Sequence, residues 1–79
     1  FITAFGRNVN PEWVEAELQG QLAIAQAAVF GEAMAHNVAI IVPRAGFDAA
    51  AVETAVAHCN QRLPDYARIG RIVLAPQPF

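Results

Sequence analysis

Apolar residues fall along this chain in two continuous runs and two helical rhythms. Ile24–Phe30 is an almost unbroken apolar run closed by Gly31, and Val38–Val42 is a second, closed by Pro43. Runs of this length rich in Ile and Val predict strands covered on both faces. Between them Gly31–Asn37 is long for a tight hairpin but compatible with an antiparallel pair. Val14, Leu18 and Leu22 recur at i, i+4 and i+8, which predicts a first helix from Pro11 to about Gly20, with Trp13 beside its stripe and in the core. Val52, Val56, Cys59 and Leu63 predict a second helix over about Ala49 to Leu63, capped by Asp48 and ended by Pro64. Phe1–Phe5 and Arg68–Leu74 are β-prone, with Phe1, Thr3 and Phe5 sharing a face and Pro76 and Pro78 stopping any continuation.

The order is therefore β-α-β-β-α-β, without internal repeat or low-complexity segment. It predicts an α+β fold, a small sheet of about three strands with helices packed on it. If Val38–Val42 and Arg68–Leu74 lie parallel, the helix between them should cross over right-handed. Phe1–Phe5, with no strand before it, reads as a strand that has lost a hairpin partner.

The best-specified local structure is Gly6-Arg7-Asn8-Val9-Asn10-Pro11-Glu12-Trp13-Val14. Asn10 is a good N-cap, Pro11 suits the first helical position, and Glu12 and Glu15 sit near the positive end of the helix dipole. Val9 and Val14 have the spacing of a hydrophobic staple. Gly20 is a plausible stop. The loop Gly6–Val9 is thus held by the helix behind it. Taken alone it reads as a strand-to-helix turn.

Size and charge narrow the picture. At 79 residues the chain is one domain at most, with modest expected stability. Its 56% hydrophobic content excludes disorder and exceeds what so small a chain can hide, so an exposed apolar patch and self-association are expected. No apolar run is long enough to span a bilayer as a helix. Both ends cut into structured sequence, which reads as a piece of a longer protein. Five basic residues, all arginines, stand against seven acidic ones for a net charge of −2, which argues against a nucleic-acid-binding face. The single Cys59 cannot form an internal disulfide, in keeping with a cytoplasmic location.

Few residues offer chemistry. His58 and Cys59 are helical neighbours pointing in different directions, a surface His beside a core Cys rather than a nucleophile–base pair. No residues have metal-ligand spacing. Glu12, Glu15 and Glu17 read as a solvated first turn, and Gly31-Glu32 as a turn rather than a phosphate loop. No catalytic residue is assigned.

The strand Phe1-Ile2-Thr3-Ala4-Phe5 followed by Gly6-x-Asn8-Val9-x-Pro11-x-x-Val14-Glu15 resembles the start of the small C-terminal domain of adenylate-forming acyl-CoA synthetases, the AMP-binding acid–CoA ligase superfamily. The resemblance continues through Ala27-Ala28-Val29-Phe30-Gly31, Val38-Ala39-Ile40-Ile41-Val42 and Leu63-Pro64-Asp65-Tyr66-Ala67-Arg68-Ile69, and so covers nearly the whole chain. The wording Gly6 to Glu15 is most similar to the long-chain fatty-acid branch.

That resemblance implies a fragment of a mobile C-terminal domain that rotates against a large N-terminal adenylation domain between two half-reactions. It implies an ATP-dependent fatty acid–CoA ligase, with ATP, Mg and CoA as substrates or cofactor of the parent enzyme and no cofactor held in this piece. Gly6, Arg7 and Asn8 become candidate substrate-binding residues, forming the tunnel for the pantetheine arm of CoA; a glycine there would let backbone approach a ligand. The family's catalytic lysine lies near its C-terminus. This chain has no lysine, so that residue is expected beyond Phe79 or replaced, and the piece alone is expected to be inactive. Two alternatives stay open: an adenylation domain loading a carrier protein, and a small ferredoxin-like or ACT-type regulatory module, which shares the β-α-β-β-α-β order.

Overall fold

The computed structural model describes residues 1–79. Helix α1 spans Pro11–Gln19, strands β1 and β2 span Ile24–Phe30 and Asn37–Pro43, helix α2 spans Ala49–Arg62, a 3-10 turn covers Asp65–Ala67, and β3 spans Ile69–Leu74. The sheet has the order β1-β2-β3, with β1 antiparallel to β2 and β3 parallel to it. This is the expected α+β fold, and α2 is the crossover between the parallel strands. No helix is long and apolar enough to cross a membrane.

The caps stand where the local sequence puts them. Asn10 Oδ1 accepts from the backbone N–H of Glu12 and Trp13, and Asp48 Oδ1 from that of Ala51. Val9 and Val14 both enter the core, as a staple requires. The core is one cluster in which Val14 and Leu18 of α1 and Val52, Val56 and Cys59 of α2 meet Ala27, Val29, Ala39 and Ile41 of the sheet.

Several expectations are corrected. Phe1–Phe5 is not a strand of the sheet: it folds back on its own continuation, and the first β element is an isolated antiparallel bridge between Ile2 and Asn8. With that element outside a three-stranded sheet, the ferredoxin-like and ACT-type arrangement is not formed. Leu22 is 72% exposed, because α1 ends at Gln19 and the helical period does not continue through the turn behind it. Trp13 is likewise exposed, since the sheet covers only the Val14–Leu18 line of the helix. The strands are not covered on both faces either. Ala28 pairs with Ile40 and Ile40 with Val73 on the face away from the core cluster, where Phe30 and Val73 are exposed. The tail after β3 crosses that face, and the backbone N–H of Phe79 donates to Gln26 Oε1 on β1.

Helix side chains occupy part of each sheet edge. Along β1, Glu15 Oε2 accepts from the N–H of Val29 and Gln19 Oε1 from that of Ala27. Glu15 is thus half-buried and bonded, not a solvated first-turn charge. On β3, Asn60 pairs with both backbone groups of Ile69, its Nδ2 donating at 2.9 Å and its Oδ1 accepting at 2.8 Å. Backbone groups already bonded in this way are withheld from another strand.

Candidate functional site

Gly6, Arg7 and Asn8 form the outer half of a tight β-hairpin running from Phe1 to Val9. Two backbone bonds join its ends: the N–H of Val9 donates to the carbonyl of Phe1 at 2.8 Å, and the Phe1 nitrogen donates to that of Val9 at 2.7 Å. Nearer the tip, the N–H of Thr3 donates to the Arg7 carbonyl and that of Gly6 to the Thr3 carbonyl. The buried hydroxyl of Thr3 accepts from the N–H of Arg7 at 3.2 Å. Gly6 has φ +77°, a conformation that side chains disfavour, and a Cβ built there would meet nothing within 4 Å. Its glycine is therefore required by the turn, while the space around it is open.

The hairpin is fastened from behind by the Gly31–His36 loop. The N–H of Ala33 donates to the Ile2 carbonyl, that of Ala4 to the Met34 carbonyl, and that of Ile2 to Glu32 Oε2. Gly31 is a turn residue with no room for a side chain, because a Cβ would run into the Asn37 side chain and the Phe1 ring.

Arg7 lies over the ring of Tyr66, its guanidinium carbon 4.2 Å from the ring centroid. The planar cation on an aromatic face ties the hairpin to the 3-10 turn. That turn is in turn held to β2 by Asn37, which is only 4% exposed and whose Nδ2 donates to the carbonyls of Tyr66 and Arg68. Between hairpin, loop and turn opens a cavity of about 510 Å³, lined among others by Phe5, Arg7, His36, Asp65, Tyr66 and Arg68. Asn8, next to Arg7 on the returning strand of the hairpin, is exposed and is not part of that lining.

Of the three candidate residues, then, the structure brings Arg7 into a cavity, sets Gly6 at the hairpin tip and leaves Asn8 facing solvent. It adds Tyr66, Arg68, His36 and Asn37, none of which the sequence reading gave a role. The segment Leu63–Ile69 did stand out there, but nothing local shows that it meets Arg7.

The other candidates stay structural. Cys59 is buried and donates its S–H to the Glu17 carbonyl at 3.4 Å, and His58 is exposed beside it. Burial pushes the Cys59 thiol above its ordinary pKa; a hydrogen bond with Gln21 opposes this, Glu17 adds to it and Arg62 opposes it. Such a thiol is a poor nucleophile at neutral pH. No group of three or more His, Cys, Asp and Glu comes together that could hold a metal ion.

Residues 1–78 match the model of the family described as the AMP-binding enzyme C-terminal domain. No curated protein matches the chain. Among solved structures, the adenylation domain of a carboxylate reductase from Mycobacterium chelonae is 20% identical with a TM-score of 0.86, covering 100% of this chain and 14% of its own. An acyl-CoA synthetase from Brucella canis is 23% identical with a TM-score of 0.76, over 91% of this chain and 14% of its own. A fatty acyl CoA synthetase from Mycobacterium tuberculosis is 23% identical with a TM-score of 0.74, over 98% of this chain and 16% of its own. Likeness at these identities speaks to the fold. The chain spans about one seventh of the length of the proteins it resembles.

Proposed function

We propose a function from one premise: the chain belongs to the family of AMP-binding enzyme C-terminal domains, the small domains of adenylate-forming ligases. It serves as the mobile C-terminal domain of an ATP-dependent carboxylic acid–CoA ligase, with a fatty acid as the acid. In the first half-reaction the carboxylate attacks the α-phosphorus of ATP, giving acyl-adenylate and pyrophosphate. In the second, the CoA thiol attacks the acyl carbon and AMP leaves. This domain acts on the second step, when its hairpin turns toward the large domain and lines the passage for the pantetheine arm.

The observation that supports this reading is the hairpin tip. Gly6 is held at φ +77° with open space around it, on a loop fixed from behind by the Asn10 cap, the Gly31–His36 loop and the Arg7–Tyr66 stack. A rigid, bare backbone corner suits a narrow passage, because no Cβ stands between it and a passing chain. The chain has no lysine and no phosphate loop, so it catalyses neither half-reaction alone.

The test is Gly6→Leu in the full-length ligase, with pyrophosphate exchange and acyl-CoA formation assayed separately. Exchange should stay within about twofold, whereas acyl-CoA formation should fall by roughly tenfold or more, as for a misplaced reacting group. Gly6→Ala carries the backbone strain without the bulk and should fall between. Equal loss of both half-reactions with the fold intact would reduce Gly6 to a structural turn. Transfer to a carrier protein but not to CoA would move the domain to the carrier-loading reading.

A further inference from the structure

We propose that the outer edge of β3 pairs, antiparallel and about a two-fold axis at Val73, with the same edge of a second copy of this chain. This goes beyond the reading above and does not rest on it. The hairpin cavity touches β3 only at Ile69 and Gly70, so pairing further along the strand leaves that cavity open.

β3 is an edge strand, bonded to β2 on one side alone. The N–H of Ala75 donates to the Ile41 carbonyl at 2.8 Å, so Ala75 faces β2 and so does Val73 before it. Backbone groups alternate in direction along a strand, and Ile72 and Leu74 therefore turn theirs outward. Neither a side chain nor a loop bonds those N–H and carbonyl groups. Other outward groups of the sheet are occupied. Glu15 and Gln19 take the N–H groups of Val29 and Ala27 on β1, and Asn60 takes both groups of Ile69. Ile72–Leu74 is left as an open, apolar edge, and such an edge is a template for another strand.

The ends of that stretch restrict what can pair with it. Asn60 blocks it at Ile69, and Pro76 ends it at the other side because it has no N–H. The tail beyond turns inward across the sheet to Gln26 and leaves the edge clear. A fitting strand must be short and must offer outward groups at two alternate residues. The stretch itself meets this description. In the antiparallel arrangement Ile72 exchanges both backbone bonds with Leu74 of the second copy, Leu74 does the same with Ile72, and Val73 meets Val73 as the close pair between them. Val73 and Leu74, 38% and 41% exposed, are covered in the process. Arg71 falls opposite Ala75, so no like charges face each other across the ladder. The far edges of the joined sheet are those of β1, whose Ala27 and Val29 N–H groups are taken, so the assembly closes as a dimer.

An interface this small is a transient one, with a Kd on the order of 100 μM. The experiment follows amide hydrogen exchange of the chain by NMR at roughly 10 μM and 1 mM, which bracket that value. Exchange at Ile72 and Leu74 should slow by about fivefold at the higher concentration, as expected when most chains are paired, while Val73 should not change. Leu74→Pro removes an outward N–H and no bond to β2, and it should abolish the slowing. Val73→Lys sets like charges against each other at the axis and should do the same, which keeps the test open should Leu74→Pro disturb the strand. Phe30→Ser lies on β1 and should leave the slowing intact. Equal, fast exchange at both concentrations overturns the proposal. So does slow exchange at both, which would place a segment of the same chain on the edge. Slowing that survives Leu74→Pro and Val73→Lys, or that vanishes in Phe30→Ser, would assign the association to the sheet face and also overturn it. Loss of the proposed function in the Gly6→Leu assay leaves every one of these outcomes unchanged.

Discussion

The carboxylate of Glu15 on α1 accepts a hydrogen bond from the backbone N–H of Val29 on β1 at 2.8 Å. Together with the bond from Ala27 to Gln19, this contact fastens the helix to the strand and occupies part of an open sheet edge. Glu15→Ala should leave the Val29 N–H without its partner and lower stability by about 1 kcal/mol, below the usual range for a bond to a charged group because Glu15 is partly solvated. Glu15→Gln keeps an acceptor and should recover most of the loss. Urea midpoints of the two variants decide this, and equal midpoints would mean the bond contributes nothing.

Asn37 is nearly sealed from solvent and serves two carbonyls. In Asn37→Ala the Tyr66 and Arg68 carbonyls lose their donor in a partly buried setting, a cost of about 1 kcal/mol or more. The 3-10 turn should loosen with it, so Tyr66 resonances should broaden or shift well beyond what a distant destabilising change produces.

Two glycines should fail for different reasons. Gly31→Ala drives a methyl into the Asn37 side chain and the Phe1 ring, and overpacking of this kind costs about 1–3 kcal/mol. Gly6→Ala meets no atom but must hold φ +77°, at about 1 kcal/mol. Thermal melts should rank Gly31→Ala as the more damaging, and a large-to-small change at Phe1 should partly rescue it alone.

Burial raises the Cys59 pKa, so the unfolded chain releases its thiol proton at lower pH than the native one. The unfolded state then holds fewer protons, and stability should fall as pH rises through and above the ordinary thiol range. Below that range Cys59 has no effect on the pH profile. Cys59→Ala should flatten the alkaline loss while lowering stability overall, and alkylation of native Cys59 at neutral pH should be slow beside that in urea.

The sheet face bearing Ala28, Ile40 and Val73 has no helix on it, and Phe30 and Val73 are exposed. Exposed apolar surface of this kind favours association of isolated chains. Sedimentation should show a concentration-dependent rise in mass, with Phe30→Ser shifting it toward monomer. A monomer at every concentration, with no binding of an apolar dye, would contradict this.

Local chemistry was enough for the elements and their order. Asn10 and Asp48 cap their helices through N–H groups two or three residues away, and the apolar runs of β1 and β2 declare themselves within seven residues each. The same locality explains Gly6, whose positive φ serves a turn closed within its own hairpin. Extending a local period beyond its element misplaced Leu22, and a period cannot say which line of a helix the sheet will cover, which misplaced Trp13. The hairpin at Phe1–Val9 escaped because an alternation over five residues marks a strand without showing that the chain folds back on it. Glu15 looked like a solvated charge because its partner, Val29, lies on a strand after the helix. The candidate site depended most on tertiary structure. Arg7 and Tyr66 lie at opposite ends of the chain, and only the parallel pairing of β2 with β3 brings the turn that carries Tyr66 beside the hairpin. Contacts between residues so far apart in sequence are set by how the whole sheet and its helices pack, and no window of neighbouring residues contains that information.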